Sequence, residues 1–92
     1  PKSKAAVLAR GELAAFYFNH GDVAGAVKLY EAGIAAAASG SLDAMGLEFA
    51  LASALESIGK CSEAKPHYEK SFNSTQNAFM KLAQEGLVRC AK

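Results

Sequence analysis

The sequence contains little of what strands, membrane spans and disulfide scaffolds require. β-branched residues are scarce, and no apolar run approaches the roughly 20 residues of a membrane-spanning helix. Two cysteines in 92 residues are too few for a secreted disulfide framework. The net charge is +1, so the chain has no general electrostatic attraction to nucleic acid or to an acidic membrane surface. These absences favour a soluble helical domain.

The two cysteines are predicted to be free thiols. Cys61 falls in a predicted turn and Cys90 in a late helix, and we expect them to lie far apart in the fold. A disulfide or a redox role is the alternative. No targeting segment is visible, although one could have been removed already. We therefore expect an intracellular, reducing and soluble phase, without distinguishing cytosol from organelle interior.

Alanine is the most abundant residue, and it has the best intrinsic helix propensity. Clusters of polar residues and glycine divide the chain, with turns expected near Gly21, Gly40, Gly59 and Thr75. Ser3, Asp22 and Ser62 are candidate N-caps, and Pro66 is expected in the first turn of its helix. No strand signal competes. Five helices are predicted, over about 4–19, 23–38, 43–57, 63–72 and 78–90.

The sequence repeats when Gly21 is aligned with Gly59, which lies 38 residues later. The aligned pairs alternate large apolar with small residues, the pattern that two stacked helical hairpins need. We therefore expect one domain over 1–92, with hairpins over about 4–38 and 43–73 and a C-terminal helix over about 78–90. The pairs are Leu13 and Leu51, Ala14 and Ala52, Tyr17 and Leu55, Ala26 and Ala64, Tyr30 and Tyr68, Glu31 and Glu69, and Gly33 and Ser71.

Two segments resemble the turn and second helix of a tetratricopeptide repeat (TPR) unit: 16–31, FYFNHGDVAGAVKLYE, and 59–70, GKCSEAKPHYEK. The Glu-Ala-x-Pro-x-Tyr-Glu pattern of the second is most similar to the kinesin-light-chain-like branch, whose period exceeds the usual 34 or so. The resemblance implies an all-α, TPR-like superhelix (a solenoid) that binds proteins. It names no particular partner.

The sequence departs from the TPR pattern in places. Arg10 and Glu48 replace the aromatic residue that often lies in the first helix, and Ala38 and Gln76 replace the proline that ends a unit. The fifth helix begins a third unit without a partner helix. It is interpreted as a capping helix or a truncation point, because a terminal repeat must cover an apolar face.

No set of residues predicts catalysis or cofactor binding. His20, His67, Cys61 and Cys90 do not show the spacing of a zinc site. A Cys61–His67 nucleophile pair would lack an orienting group, and the glycines form no phosphate-binding loop. We therefore expect no enzyme activity, no cofactor and no metal site.

In a TPR stack the first helix of each hairpin lines a concave groove. The matching residues here are mostly small or apolar, and Leu8, Glu12 and Gly46 share this face. Such a surface lets a partner backbone approach closely. The predicted groove residues are Gly11, Ala15, Phe18, Asn19, Phe49, Ala50, Ser53, Glu56, Met80 and Gln84.

The groove predicts the kind of partner. Some TPR proteins clamp C-terminal carboxylates with basic groove residues, but none of the matching positions here is basic. We expect a non-catalytic interaction module that binds a helical or apolar protein segment, as a subunit or adaptor of a larger assembly. Its binding should depend weakly on salt. No nucleic acid, membrane span or small-molecule substrate is expected. The alternative is an architectural repeat that stacks on further repeats of its own chain.

Overall fold

A computed structural model describes residues 4–72 and 79–91. These residues form five α-helices and contain no strand, so the predicted all-α class is confirmed. None of the described helices is long and apolar enough to cross a membrane. The helices are α1 (Lys4–Asn19), α2 (Val23–Ala36), α3 (Leu42–Ser57), α4 (Cys61–Phe72) and α5 (Met80–Cys90).

Gly21 and Gly59 end the helices that precede them, and Gly40 lies in the turn between α2 and α3. Gly21, Gly40 and Gly59 have φ angles of 86°, 74° and 78°, in the left-handed region that side chains with a Cβ rarely adopt. The predicted turns at these residues are therefore confirmed. The turn predicted near Thr75 and the cap predicted at Ser3 lie outside the described residues.

Side-chain caps begin two of the helices. An Asp22 carboxylate oxygen accepts a hydrogen bond from the Gly25 amide at 2.8 Å, as predicted for α2. The Ser41 hydroxyl oxygen likewise accepts one from the Ala44 amide at 3.1 Å. Each bond satisfies an amide that has no partner within the helix.

The prediction for the start of α4 was wrong. The helix begins at Cys61 rather than at residue 63, so Ser62 lies inside it and does not cap it. Pro66 consequently lies in the second turn rather than the first. It lacks the amide that would donate to the Ser62 carbonyl, and α4 tolerates this loss.

Successive helices pack side by side in chain order. α1 packs on α2 and α3 on α4 as hairpins, while α2 packs on α3 and α4 on α5. α1 and α5 each touch α3 only along an edge. The Cα atoms occupy 40 × 32 × 17 Å, a flattened stack of helices.

Small residues lie where the helices meet. Ala14, Ala26, Ala52, Ala64 and Ala83 have no exposed surface, which lets the helix axes approach closely. The equivalent Ala26 and Ala64 therefore share one environment, as the repeat predicts.

Tyr30 and Tyr68 were predicted to fill equivalent positions inside their own hairpins. Both are buried, with 8 % and 0 % of their surface exposed. The ring of Tyr68 also lies against Gly86 of α5, so it reaches beyond its own hairpin.

The repeat fails at one face of α1. Leu51 and Leu55 of α3 are 0 % and 6 % exposed, whereas their partners in the alignment, Leu13 and Tyr17, are 45 % and 37 % exposed. The difference follows from the order of packing, because α2 precedes and packs on α3 and no described helix precedes α1.

The prediction of free, distant thiols was wrong. Cys61 and Cys90 form a disulfide with a Cα–Cα distance of 5.2 Å, and neither thiol is free. The bond joins the first residue of α4 to the last residue of α5. Antiparallel packing of these two helices brings together residues that lie 29 positions apart.

Candidate binding groove

An open groove crosses α1 and α3 and ends at Phe79. It encloses about 750 Å³. α1 and α3 provide most of its lining because these helices share one side of the stack. The lining residues are Val7, Leu8, Gly11, Glu12, Ala15, Tyr30, Leu42, Asp43, Gly46, Leu47, Ala50 and Phe79.

Two glycines shape the floor of the groove. A Cβ atom on Gly11 would lie 3.1 Å from a methyl carbon of Leu47, and one on Gly46 would lie 3.1 Å from the ring of Phe79. Both distances are shorter than ordinary van der Waals contact. The absence of a Cβ at these two positions therefore lets Leu47 and Phe79 lie against the helix backbones.

Phe79 forms one wall, and other rings hold it in place. Its ring stacks on Phe49 with centroids 5.7 Å apart, and Phe49 meets Tyr68 at 5.9 Å. The wall therefore continues into the core between α3 and α4. Phe79 was predicted to belong to the fifth helix, but it precedes the first residue of α5.

The charge of the groove is negative. Glu12 and Asp43 are the only charged residues among the described residues that line it, and no cation does. Asp43 also lines a smaller neighbouring cavity, which Lys4 borders. Burial raises the pKa of Tyr30, which keeps this phenol neutral.

The predicted groove residues divide into two groups. Gly11, Ala15 and Ala50 line the cavity, as do Leu8, Glu12 and Gly46, which share their face. Their role in binding stays a prediction. The predicted residues that do not line this cavity are Phe18, Asn19, Phe49, Ser53, Glu56, Met80 and Gln84.

Several residues of the second group have other surroundings. Phe18 and Phe49 pack against the main hydrophobic cluster, and Gln84 faces a shallow surface beside Lys81 and Val88. The groove residues that were not predicted from the sequence are Val7, Tyr30, Leu42, Asp43, Leu47 and Phe79. Periodicity along α3 could have indicated Leu42 and Asp43, which lie one helical turn before Gly46.

Glu56 is engaged within the fold. One carboxylate oxygen accepts hydrogen bonds from the Tyr68 hydroxyl at 2.5 Å and from the Arg89 guanidinium at 3.0 Å. The other oxygen accepts a bond from Arg89 Nε at 2.7 Å. These bonds, chiefly those from Arg89, lower the pKa of the Glu56 carboxyl. This carboxylate therefore ties α3 to α4 and α5.

A second buried polar contact joins α3 to α4. The side chain of Glu48, which is 8 % exposed as a residue, lies 2.6 Å from Nδ1 of His67. Paired in this way, the carboxylate avoids the cost of burial without a partner.

One group of described residues has the composition of a metal site. Oxygen or sulfur atoms of Glu56, Cys61 and Cys90 lie within 4.8 Å of one another. The two sulfurs are bonded to each other, and Arg89 holds the carboxylate. The group therefore offers no thiolate ligand in its disulfide form.

No protein-family model, curated protein or solved structure matches this chain. The groove is therefore interpreted from the geometry of this chain alone. Its defining features are an apolar lining, two glycines in the floor and two carboxylates, with no cation among the described lining residues.

Proposed function

We propose that this domain is a non-catalytic protein–protein interaction module with a TPR-like arrangement of helical hairpins. The open, mostly apolar groove across α1 and α3 is the observation that carries this proposal. An apolar concavity with a few convergent polar groups is the usual form of a binding site. The fold and the 38-residue repeat support the TPR-like arrangement, and a superhelix remains part of the proposal.

The partner that fits the groove is one apolar face of an amphipathic helix. Ala15 and Ala50 are small lining residues that a helix can approach closely, and Leu8 and Leu42 are exposed at 49 % and 60 %. Apolar side chains of a bound helix would cover these two leucines. Burial of this surface would supply most of the affinity.

The rim of the groove favours a partner with positively charged side chains. Because Glu12 and Asp43 border the groove and no described lining residue is a cation, a lysine or arginine beside the partner's apolar face would find a carboxylate. Exposed pairs of this kind contribute little affinity but orient the partner. A negatively charged segment is disfavoured for the same reason.

Introducing an arginine into the groove tests the proposal. We expect Ala50→Arg to weaken binding by more than about 1 kcal/mol, because the bound helix must then desolvate or displace a cation. Ala50 also packs against the main hydrophobic cluster, so Ala15→Arg is the second variant, at a lining position outside that cluster. Ala32→Arg, at an exposed position of α2, is the matched control.

The measurement compares the proteins that the immobilised wild-type domain retains with those that each folded variant retains. Titration of a retained protein then gives the change in affinity. Loss with both groove variants and full retention by Ala32→Arg supports the groove. Full retention by a folded Ala15→Arg and a folded Ala50→Arg would exclude it as the binding surface.

The exposed face of α1 favours a second candidate function, an architectural repeat that stacks on another helical layer. Leu13, Phe16 and Tyr17 are 45 %, 53 % and 37 % exposed, and α3 buries the aligned residues against its neighbours. Phe16→Lys distinguishes the two functions. If stacking dominates, Phe16→Lys abolishes retention of the partner while Ala50→Arg preserves it.

A further inference from the structure

The Cys61–Cys90 disulfide is the principal feature that the binding function leaves without a role. It cross-links the start of α4 to the end of the 11-residue α5. Among the described residues, α5 is also held by Gly86 against the Tyr68 ring, by buried Ala83, by Leu87 against the main cluster and by the pair of Arg89 with Glu56. An isolated helix of this length is not stable in water, so α5 depends on its attachment to the rest of the fold.

The two sulfurs differ in accessibility and environment. Cys90 is 7 % exposed, whereas Cys61 is partly exposed. Cys61 is also the first residue of α4, where unpaired amides and the helix dipole stabilise a thiolate. Helix N-termini are sites where cysteine thiols gain reactivity for this reason.

Some of the charges near Cys61 would destabilise a thiolate there, and others would stabilise it. The Glu56 carboxylate lies within 4.8 Å of both sulfurs and opposes a second negative charge. Arg89 binds that carboxylate through two nitrogens and offsets its charge. Lys60 lies next to Cys61 in sequence, and its ammonium is 3.8 Å from Glu63. The charges near Cys61 are therefore two carboxylates, each paired with a cation, and the positive end of α4.

We propose that Cys61 and Cys90 form a thiol-exchange site, with Cys61 as the reactive sulfur, and that the bond is a reversible lock on α5. A thiolate of a low-molecular-weight thiol attacks the Cys61 sulfur. The bond to Cys90 breaks, and Cys90 leaves with the electron pair and takes a proton from water. A second thiol attacks the mixed disulfide and releases Cys61 as a thiolate at the start of α4.

The low-molecular-weight thiol is the only reductant that the exchange needs. Two thiols become one disulfide, and the protein disulfide becomes two thiols, a two-electron transfer. Reduction leaves α5 held only by its non-covalent contacts. Phe79 directly precedes α5 and forms one wall of the groove, so release of α5 frees the chain on one side of this wall.

Glutathione is the probe for the exchange chemistry. A Cys90→Ser variant incubated with oxidised glutathione should form a mixed disulfide at Cys61. A Cys61→Ser variant should react at Cys90 at least tenfold more slowly, since that sulfur is buried. Intact-mass measurement follows both reactions. Equal rates, or faster reaction at Cys90, would overturn the assignment of Cys61 as the reactive sulfur.

Hydrogen exchange of the wild-type protein tests the lock and requires no variant to fold. After reduction by excess glutathione, amides of α5 should exchange more than tenfold faster, while those of α1 and α2 change less than twofold. A bond that excess reduced glutathione leaves intact, or unchanged protection of α5 after reduction, would overturn the proposal. Neither measurement involves a partner, so a failure here is distinct from failure of the groove.

Discussion

The contact between Gly86 and the Tyr68 ring leaves no space for a side chain. A Cβ atom on Gly86 would lie 2.6 Å and 2.7 Å from the two Cε atoms of that ring. Tyr68 has no exposed surface, and its hydroxyl donates a hydrogen bond to Glu56. The ring therefore cannot move aside without loss of this bond or of packing.

We expect Gly86→Ala to destabilise the fold by about 1 to 3 kcal/mol through overpacking. This cost exceeds the roughly 1 kcal/mol that alanine gains over glycine in helix propensity. Urea unfolding measures it. Gly11→Ala is the control, because its new methyl group would meet only the flexible end of Leu47, at 3.1 Å. Equal stability of Gly86→Ala and wild type would show that α5 does not dock against Tyr68.

The equivalent residues Tyr30 and Tyr68 should contribute different amounts to the stability of the fold. Truncation of a buried aromatic residue costs about 3 to 5 kcal/mol. Tyr30→Ala should lie near the lower value, because this ring borders the open groove. Tyr68→Ala should cost more, since its ring is fully buried and its removal also takes one hydrogen bond from Glu56. Thermal unfolding of both variants gives the order, and a costlier Tyr30→Ala would contradict these environments.

At the scale of helices, Glu56 connects α3 to α5 through Arg89. The hydrogen bonds from Arg89 lower the pKa of the carboxyl from its ordinary 4.5, and the Tyr68 hydroxyl adds to this effect. A lowered pKa means that the folded state favours the ionised carboxylate. The resulting stability is complete above pH 4.5 and is lost as the pH falls through the lower, folded-state pKa.

We expect Glu56→Gln to cost up to about 1 kcal/mol at neutral pH, because the Arg89 side chain is half exposed and solvent weakens the pair. The difference from wild type should shrink in acid, where Glu56 is protonated in both folded and unfolded states. Urea unfolding near neutrality and in acid measures this. Glu31→Gln, at an exposed position of α2, is the control. A difference that does not change with pH would contradict the ionic role.

Local chemistry explains which elements could be predicted from the sequence. Gly21 and Gly59 mark turns because only glycine readily adopts their positive φ, and Asp22 marks a helix start because its carboxylate caps an amide. The start of α4 was predicted two residues late, because Ser62 resembled a cap while the chain already turned at Gly59.

Longer-range features could not be predicted in the same way. The Cys61–Cys90 bond depends on how α4 and α5 pack, and the spacing of the two cysteines gives no signal of it. The groove was predicted in part, because Gly11, Ala15 and Ala50 match groove positions of the TPR pattern that the sequence resembles. Its Phe79 wall depends on ring packing between distant segments.

At the scale of the whole molecule, the 38-residue repeat means that the two hairpins pack their own helices together with equivalent residues. Ala26 and Ala64 both have no exposed surface and lie four residues before a buried tyrosine. The repeat is imperfect at Leu13, whose counterpart Leu51 is buried. Aligned residues therefore have the same burial inside each hairpin, but not at the face where one hairpin packs against the next.

Substitution of the two equivalent alanines by valine tests whether aligned residues of the two hairpins contribute equally to stability. Ala26→Val and Ala64→Val each add two methyl groups at a contact without free space, and each should cost about 1 to 3 kcal/mol. The two costs should agree within about 1 kcal/mol, since nearest-neighbour contacts dominate the stability of repeat proteins. Ala32→Val, at an exposed position of α2, should cost only about 0.5 kcal/mol from helix propensity. Urea unfolding of all three variants gives these values. If Ala26→Val left the free energy of unfolding unchanged while Ala64→Val lowered it, the first hairpin would be packed more loosely than the second. The two hairpins would then be similar in sequence but not in the energy of their packing.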